Sequence, residues 1–261
     1  RDIARQMAHE IKNPLTPIQM AVEMLRKARE RDLPDFDELF DEQTKIVLEE
    51  VARLRRLVED FSRFARAPRP RFADVSVSEV VEHVVTLHAA STDGVELTGE
   101  AEPALATVRA DREQLAQVLT NLVANALFAV ADRVKAHPER GPGAVHVSAR
   151  SVTVGGDRRV AVAVDDNGGG IDPAVRDRLF EPYATTKQGR GGTGLGLAVV
   201  YRIVHDHGGT VSVDSSPEGT RFEVVLPLKG PAHGGERELT LESTLDTLSE
   251  PVLFEAPAPR G

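Results

Sequence analysis

A pair of amphipathic helices followed by a larger mixed α/β region is the architecture this chain predicts, on three observations. Two long stretches carry apolar residues at alternating three- and four-residue steps, the mark of a one-sided helix. A proline-marked joint closes this helical part. Beyond the joint, strand-like apolar runs mix with helical ones.

The first helical stripe is Ala4, Met7, Ile11, Pro14, Ile18, Ala21, Leu25 and Ala28. After a break at Arg31 to Asp37 the second is Val47, Val51, Leu54, Val58, Phe61 and Ala65. Flanking rows widen both faces: Ala8, Leu15 and Val22 on the first, Leu57 and Phe64 on the second. Two helices cannot cover two such stripes alone, so the expected assembly is a homodimer closed as a four-helix bundle. The joint is Ala67-Pro68-Arg69-Pro70. In the next zone Val145–Val154 and Arg159–Val164 read as strands, and Asp111–Val134 and Thr193–His207 as helices. From Gly230 the chain is rich in Pro, Gly and acids and reads as a tail, although Leu239, Leu241, Leu245 and Leu248 offer a short docking helix. The expected divisions are thus 1–66, a linker 67–71, 72–229 and a tail 230–261.

Composition narrows the function. The net charge of −9 argues against a broad basic face for nucleic acid. The tail holds six acids and two Arg, a net of −4, which leaves −5 for the body. With no cysteine there is no disulfide, thiolate metal site or cysteine nucleophile. The apolar run from Val118 to Ala131 is interrupted by Thr120, Asn121 and Asn125 and is too short to span a bilayer. The helical pattern is already running at Arg1, so the chain is expected to be part of a longer protein.

Chemistry concentrates in a few segments. Ala8-His9-Glu10-Ile11-Lys12-Asn13-Pro14-Leu15-Thr16-Pro17 sets a histidine beside an acid on a helix that its prolines should distort. The heptad count turns His9 toward water with Asn13 one turn along the same face, and Glu10 at the stripe's edge. A neutral imidazole is a competent nucleophile near pH 7, and an adjacent carboxylate can take its proton. Alone, such a histidine is ordinary surface. Asn121 and Asn125 share one helix face and carry neutral oxygens suited to a phosphate-bound Mg²⁺, although two helix asparagines are ordinarily solvated. Asp166 ends an apolar strand and runs into Asn167-Gly168-Gly169-Gly170, where a carboxylate can receive a base's amino group; by itself this is a turn. Gly192-Thr193-Gly194-Leu195-Gly196 precedes a helix whose amides can cradle phosphates, without the spacing of a Walker or Rossmann loop.

The order of these segments carries the specificity. Asn125, then Asp166-x-Gly168-x-Gly170, then Phe180-Glu181-Pro182-Tyr183, then Gly192-x-Gly194-x-Gly196 resembles the N, G1, F and G2 boxes of bacterial two-component sensor histidine kinases. The segment around His9 resembles their phosphoacceptor box, and its wording is most similar to nitrogen-regulation sensors. The likeness runs from about residue 4 to 228.

That resemblance implies an α-helical hairpin, dimeric as a four-helix bundle, followed by an α/β sandwich ATP-binding domain of Bergerat fold with helices over one face of a mixed sheet. It implies ATP and Mg²⁺ as cofactors, Asn125 and Asn121 as Mg²⁺ ligands and Asp166 as the reader of adenine. Gly168, Gly170, Tyr183, Gly192, Thr193, Gly194, Leu195 and Gly196 would line the nucleotide. Leu179 to Gly192 would form a mobile lid, with Lys187 and Arg190 as phosphate contacts. His9 would be the phosphoacceptor, Glu10 its acid/base partner and Asn13 the polar residue used in dephosphorylating a response regulator. The implied setting is cytoplasmic, anchored by inner-membrane segments outside this chain. Related ATPases keep a glutamate one turn before the Mg²⁺-binding Asn; here Asn121 occupies that position, which favours transfer to a side chain over direct hydrolysis. The alternatives are an ATPase of the same superfamily and a catalytically silent nucleotide-binding scaffold.

Overall fold

The computed structural model describes residues 2–31, 34–65, 69–89, 94–184 and 194–231, with the backbone alone at 2–6, 8–9, 60–61 and 63–65. The chain divides into a helical unit built on Arg1–Ala67 and an α/β unit that begins at Pro68.

The helical unit is a hairpin of α1 (Asp2–Glu30) and α2 (Phe36–Ala65). The helix α1 continues through Pro14 and Pro17, so the expected distortion does not interrupt it. Each proline removes one backbone donor. Between them the Thr16 hydroxyl donates to the Lys12 carbonyl at 3.2 Å, an added bond at the same turn. Ala21 and Ala28 are buried on α1, and Leu57 is buried on α2. Leu15, Met20, Val22, Met24, Phe40, Leu48, Val51 and Val58 stay exposed. Leu15 and Val22 recur on one face of α1, and Phe40, Val51 and Val58 on one face of α2, while Met20 and Met24 lie round the other side of α1.

The α/β unit runs β1 (Ala73–Val75), α3 (Val77–His88), β2 (Glu96–Ala101), β3 (Val108–Ala110), α4 (Arg112–Ala136), β4 (Ala144–Val154), β5 (Asp157–Asp166), α5 (Pro173–Arg176), α6 (Gly196–Asp206), β6 (Thr210–Ser216) and β7 (Gly219–Pro227). Five strands make a mixed sheet in the order β2-β4-β5-β7-β6, parallel only between β2 and β4. A two-stranded antiparallel ribbon, β1 with β3, forms a separate ladder, joined to the end of β7 by the Arg109 amide donating to the Leu228 carbonyl at 2.9 Å.

Strand pleat sorts the sheet's two faces. Val145, Val147, Val160, Val162, Val164, Phe222, Val224 and Leu226 are buried beneath the helices. On the other face Ala161 and Ala163 lie under longer polar neighbours. There Arg221 forks onto both carboxylate oxygens of Asp165 at 2.7 Å, and Glu223 accepts from both Arg150 and Arg221. Desolvation alone would lower the Arg221 pKa, but the bonds to Asp165 and Glu223 raise it above the usual guanidinium value. The pleat thus sends Asp165 to the outer face and the next residue, Asp166, to the helix-covered one.

The helix α4 is 25 residues long and apolar enough by composition to cross a membrane. Here it is a core helix: Leu115, Val118, Leu119, Leu122, Val123, Ala126 and Val130 are buried, and it packs on α3, α6, β4 and β5. Asp111 caps it, accepting from the amides of Glu113 and Gln114. The same carboxylate accepts from the Arg71 amide at 2.7 Å, so the last residue of the expected linker is pinned to this unit. At the far end of the unit, Gly230 is buried against Arg109 and Pro231 lies against Gly208, which carries the packed chain past the expected boundary at 229.

Candidate functional site

The site in the α/β unit is organised by one row of α4. Asn121, Asn125, Ala129 and Arg133 follow at four-residue steps, a single ridge of the helix with about 6 Å between members. Asn121 Nδ2 donates to the Gly196 carbonyl at 3.3 Å, which ties the ridge to the first turn of α6. A Cβ built on Gly168 would lie 3.0 Å from the Ala129 Cβ, so the turn after β5 lies against the third member. Asn125 stands between these two contacts, half-buried.

Asp166 is the last residue of β5, and its Oδ1 accepts from the Gly168 amide at 2.8 Å. A side chain at 168 would meet that same oxygen at 2.8 Å as well as Ala129, so only glycine leaves the carboxylate edge clear. Gly170 (φ +77) comes next, seated against the Ser216 carbonyl of the β6–β7 hairpin. Backbone again meets backbone where Gly219 lies against the Asp166 carbonyl. Ile171 N–H donates to the Ser215 hydroxyl at 2.9 Å and Asp172 caps the short α5, which completes the turn.

Other expected residues fall differently. Leu179, Phe180 and Tyr183 are buried, and Phe180 packs on Tyr201 with ring centroids 5.6 Å apart. The beginning of the expected lid is therefore packed core, because its aromatic and leucine side chains are worth more in the interior than in water. Tyr183 adopts φ +66, a strained backbone for a residue of its size. The expected helix start at Thr193 is a correction: α6 begins at Gly196, after Gly194 at φ +69, which no right-handed helix admits. Leu195 is buried. Lys187, Arg190, Gly192 and Thr193 lie outside the described residues.

In the helical unit His9 lies within α1, described by its backbone alone; Glu10 is half-buried and Asn13 exposed.

Sequence reasoning missed two supports. One is the pair Arg133 and Asn167, which interlock behind Asp166 through a bond of 2.9 Å from Arg133 Nη2 to Asn167 Oδ1. The other is His207, 1% exposed, which accepts from the Asp111 amide through Nε2 at 3.0 Å and donates from Nδ1 to the Ile203 carbonyl at 2.7 Å. That arrangement needs a neutral ring, and burial lowers its pKa against the opposing pull of the Ile203 bond, Asp111 and Asp206. Arg133 and His207 are buried polar residues, which periodicity rules treat as surface, and Asn167 is half-buried.

Residues 1–70 match the His Kinase A (phospho-acceptor) domain, and residues 110–230 match the histidine kinase-, DNA gyrase B- and HSP90-like ATPase family. The chain belongs to the histidine kinase family. Nitrogen regulation protein NtrY of Azorhizobium caulinodans is 40% identical over 248 residues, covering 94% of this chain and 30% of NtrY. Sensory histidine kinase/phosphatase NtrB of Escherichia coli O157:H7 is 38% identical over 234 residues, 88% of this chain and 62% of NtrB. This family member therefore spans less than two thirds of either relative. Among solved structures, full-length ShkA in complex with AMPPNP superposes with a TM-score of 0.58 at 27% identity, over 88% of this chain and 47% of ShkA.

Proposed function

We propose that this chain is the cytoplasmic core of a sensor kinase that moves the γ-phosphoryl group of ATP to His9 and then to an aspartate of a response-regulator protein. The α4 ridge carries the reading. It sets two neutral amide side chains between the start of α6, at Gly196, and the turn that holds Asp166. Phosphates would sit at the α6 end and the base at the Asp166 end, contacts that lie about 12 Å apart along the ridge from Asn121 to Ala129. Asn125 and Asn121 fit a hard cation through their amide oxygens, and a Mg²⁺ ion held there would neutralise phosphate charge. Asn121 offers no carboxylate to activate water, and its amide nitrogen already donates to Gly196.

In the proposed step a ring nitrogen of His9 attacks the γ-phosphorus in line. An N–P bond forms, the bond to the β-phosphate oxygen breaks and ADP leaves. Glu10 takes the proton from the other ring nitrogen. The phosphoramidate then passes to the regulator's carboxylate. Asn13, exposed one turn beyond His9, orients water for the reverse duty of dephosphorylating the regulator. The helical unit works as a homodimer, closing its exposed apolar rows against a second copy. The name of the NtrB relative, a kinase and phosphatase, supports both duties.

Incubation with γ-labelled ATP tests the reading. Acid-labile label should appear on the chain and be absent from His9→Gln, while ADP binding by that variant stays unchanged. Label persisting on His9→Gln overturns the assignment. Asn13→Ala should label normally and dephosphorylate the regulator slowly.

A further inference from the structure

The fourth member of the α4 ridge is Arg133, 4% exposed. Its guanidinium makes four hydrogen bonds, each to a neutral oxygen. Nε donates to the Asn167 carbonyl at 3.0 Å, and Nη2 to Asn167 Oδ1 at 2.9 Å and to the Pro142 carbonyl at 3.0 Å. Nη1 donates to the Gly141 carbonyl at 2.6 Å.

Asn167 is equally committed. Its Oδ1 also accepts from the Ala144 amide at 2.9 Å, its Nδ2 donates to the Pro142 carbonyl at 3.0 Å, and its own amide donates to the Ala144 carbonyl at 3.2 Å. Every polar atom of the residue directly after Asp166 is therefore held, by Arg133, by Pro142 or by Ala144 at the start of β4. Taking a guanidinium out of water is costly, and a loop between a helix and a strand can be closed without one. The arginine is spent where it locks the turn carrying Asp166 to the helix carrying Asn121 and Asn125.

We propose that Arg133 and Asn167 form a positioning clip that sets the Asp166 carboxylate for recognition of the adenine amino group. The clip acts through Asp166 and touches no nucleotide. It tunes discrimination between adenine and guanine, because a guanine presents a carbonyl where adenine presents the amino donor. A lysine cannot replace the arginine, since one ammonium cannot reach oxygens on three residues in a planar fork. The inference rests on the reading of Asp166 as the base contact.

Calorimetric titration of the full chain with ADP and with GDP tests both layers, using Arg133→Lys, Asn167→Ala, Asp166→Asn and the packing control Val147→Ala. Outer supports of metal ligands are worth about tenfold or more when removed, and by the same logic the clip variants should lose about tenfold toward ADP and little toward GDP. Val147→Ala should lower the melting temperature and leave the ADP-to-GDP ratio intact. A preserved ratio in Arg133→Lys and Asn167→Ala, alongside a collapsed one in Asp166→Asn, overturns the clip alone. A preserved ratio in Asp166→Asn overturns the base contact and the clip with it. If Arg133→Lys does not fold, Asn167→Ala decides.

Discussion

The helical unit and the α/β unit solve the burial problem in opposite ways. In the hairpin eight large apolar side chains remain exposed, among them Leu48 at 65% and Met20 at 62%. In the α/β unit only Leu87 and Val154 do so among the described residues. A two-layer sandwich covers its sheet with its own helices, whereas two helices have no third layer. The α/β unit therefore covers its own core, whereas the hairpin leaves large apolar side chains in water, where the proposed second copy would cover them.

Four measurements put that contrast to the test. Leu122→Ala, at a fully buried position on α4, should destabilise the α/β unit by about 2–5 kcal/mol in denaturant unfolding and leave association unchanged. Val51→Glu should do the reverse, weakening self-association by about 2 kcal/mol in sedimentation while ADP binding is untouched. If Val51→Glu leaves the oligomer intact, the exposed stripe is not the dimer surface. Asn125→Ala should lower Mg-nucleotide affinity about tenfold without altering association.

The smallest effect is on pH dependence. His207 and His88 both have pKa values lowered by burial from the ordinary 6.5. Below pH 6.5 the unfolded chain takes up protons that these two rings in the folded unit refuse, so stability falls as pH drops toward 5 and levels off above 7. His207→Gln should shrink that acid slope, with His88 supplying the remainder, and should cost stability at pH 8 by disturbing the Asp111 cap. An unchanged slope would mean that His207 does not titrate differently on folding.

The two units also differ in how readable they were. The hairpin's two stripes and its break could be drawn from spacing alone, because a 3.6-residue period leaves its mark on every apolar position. In the α/β unit α4 and the central strands β4 and β5 were legible for the same reason. The ribbon β1–β3 was not: three-residue strands such as Ala73–Val75 carry no usable period. The candidate site was legible at Asn121, Asn125 and Asp166, whose residue types and order are unusual together. Arg133 was not, because a basic residue in the last turn of a helix ordinarily marks the solvated end of the macrodipole. Nor was the packing of Leu179, Phe180 and Tyr183, since glycines and charges on both sides suggest a loop.

The two-unit plan, the family and the residues proposed to carry the chemistry could all be read along the chain, because period and motif order are local properties. Which buried polar groups hold those residues in place was settled only on folding. Arg133 meets Asn167 34 positions later and His207 meets Asp111 96 positions earlier. Such pairings arise from how the sheet brings distant backbone oxygens and amides together, and no spacing rule encodes them.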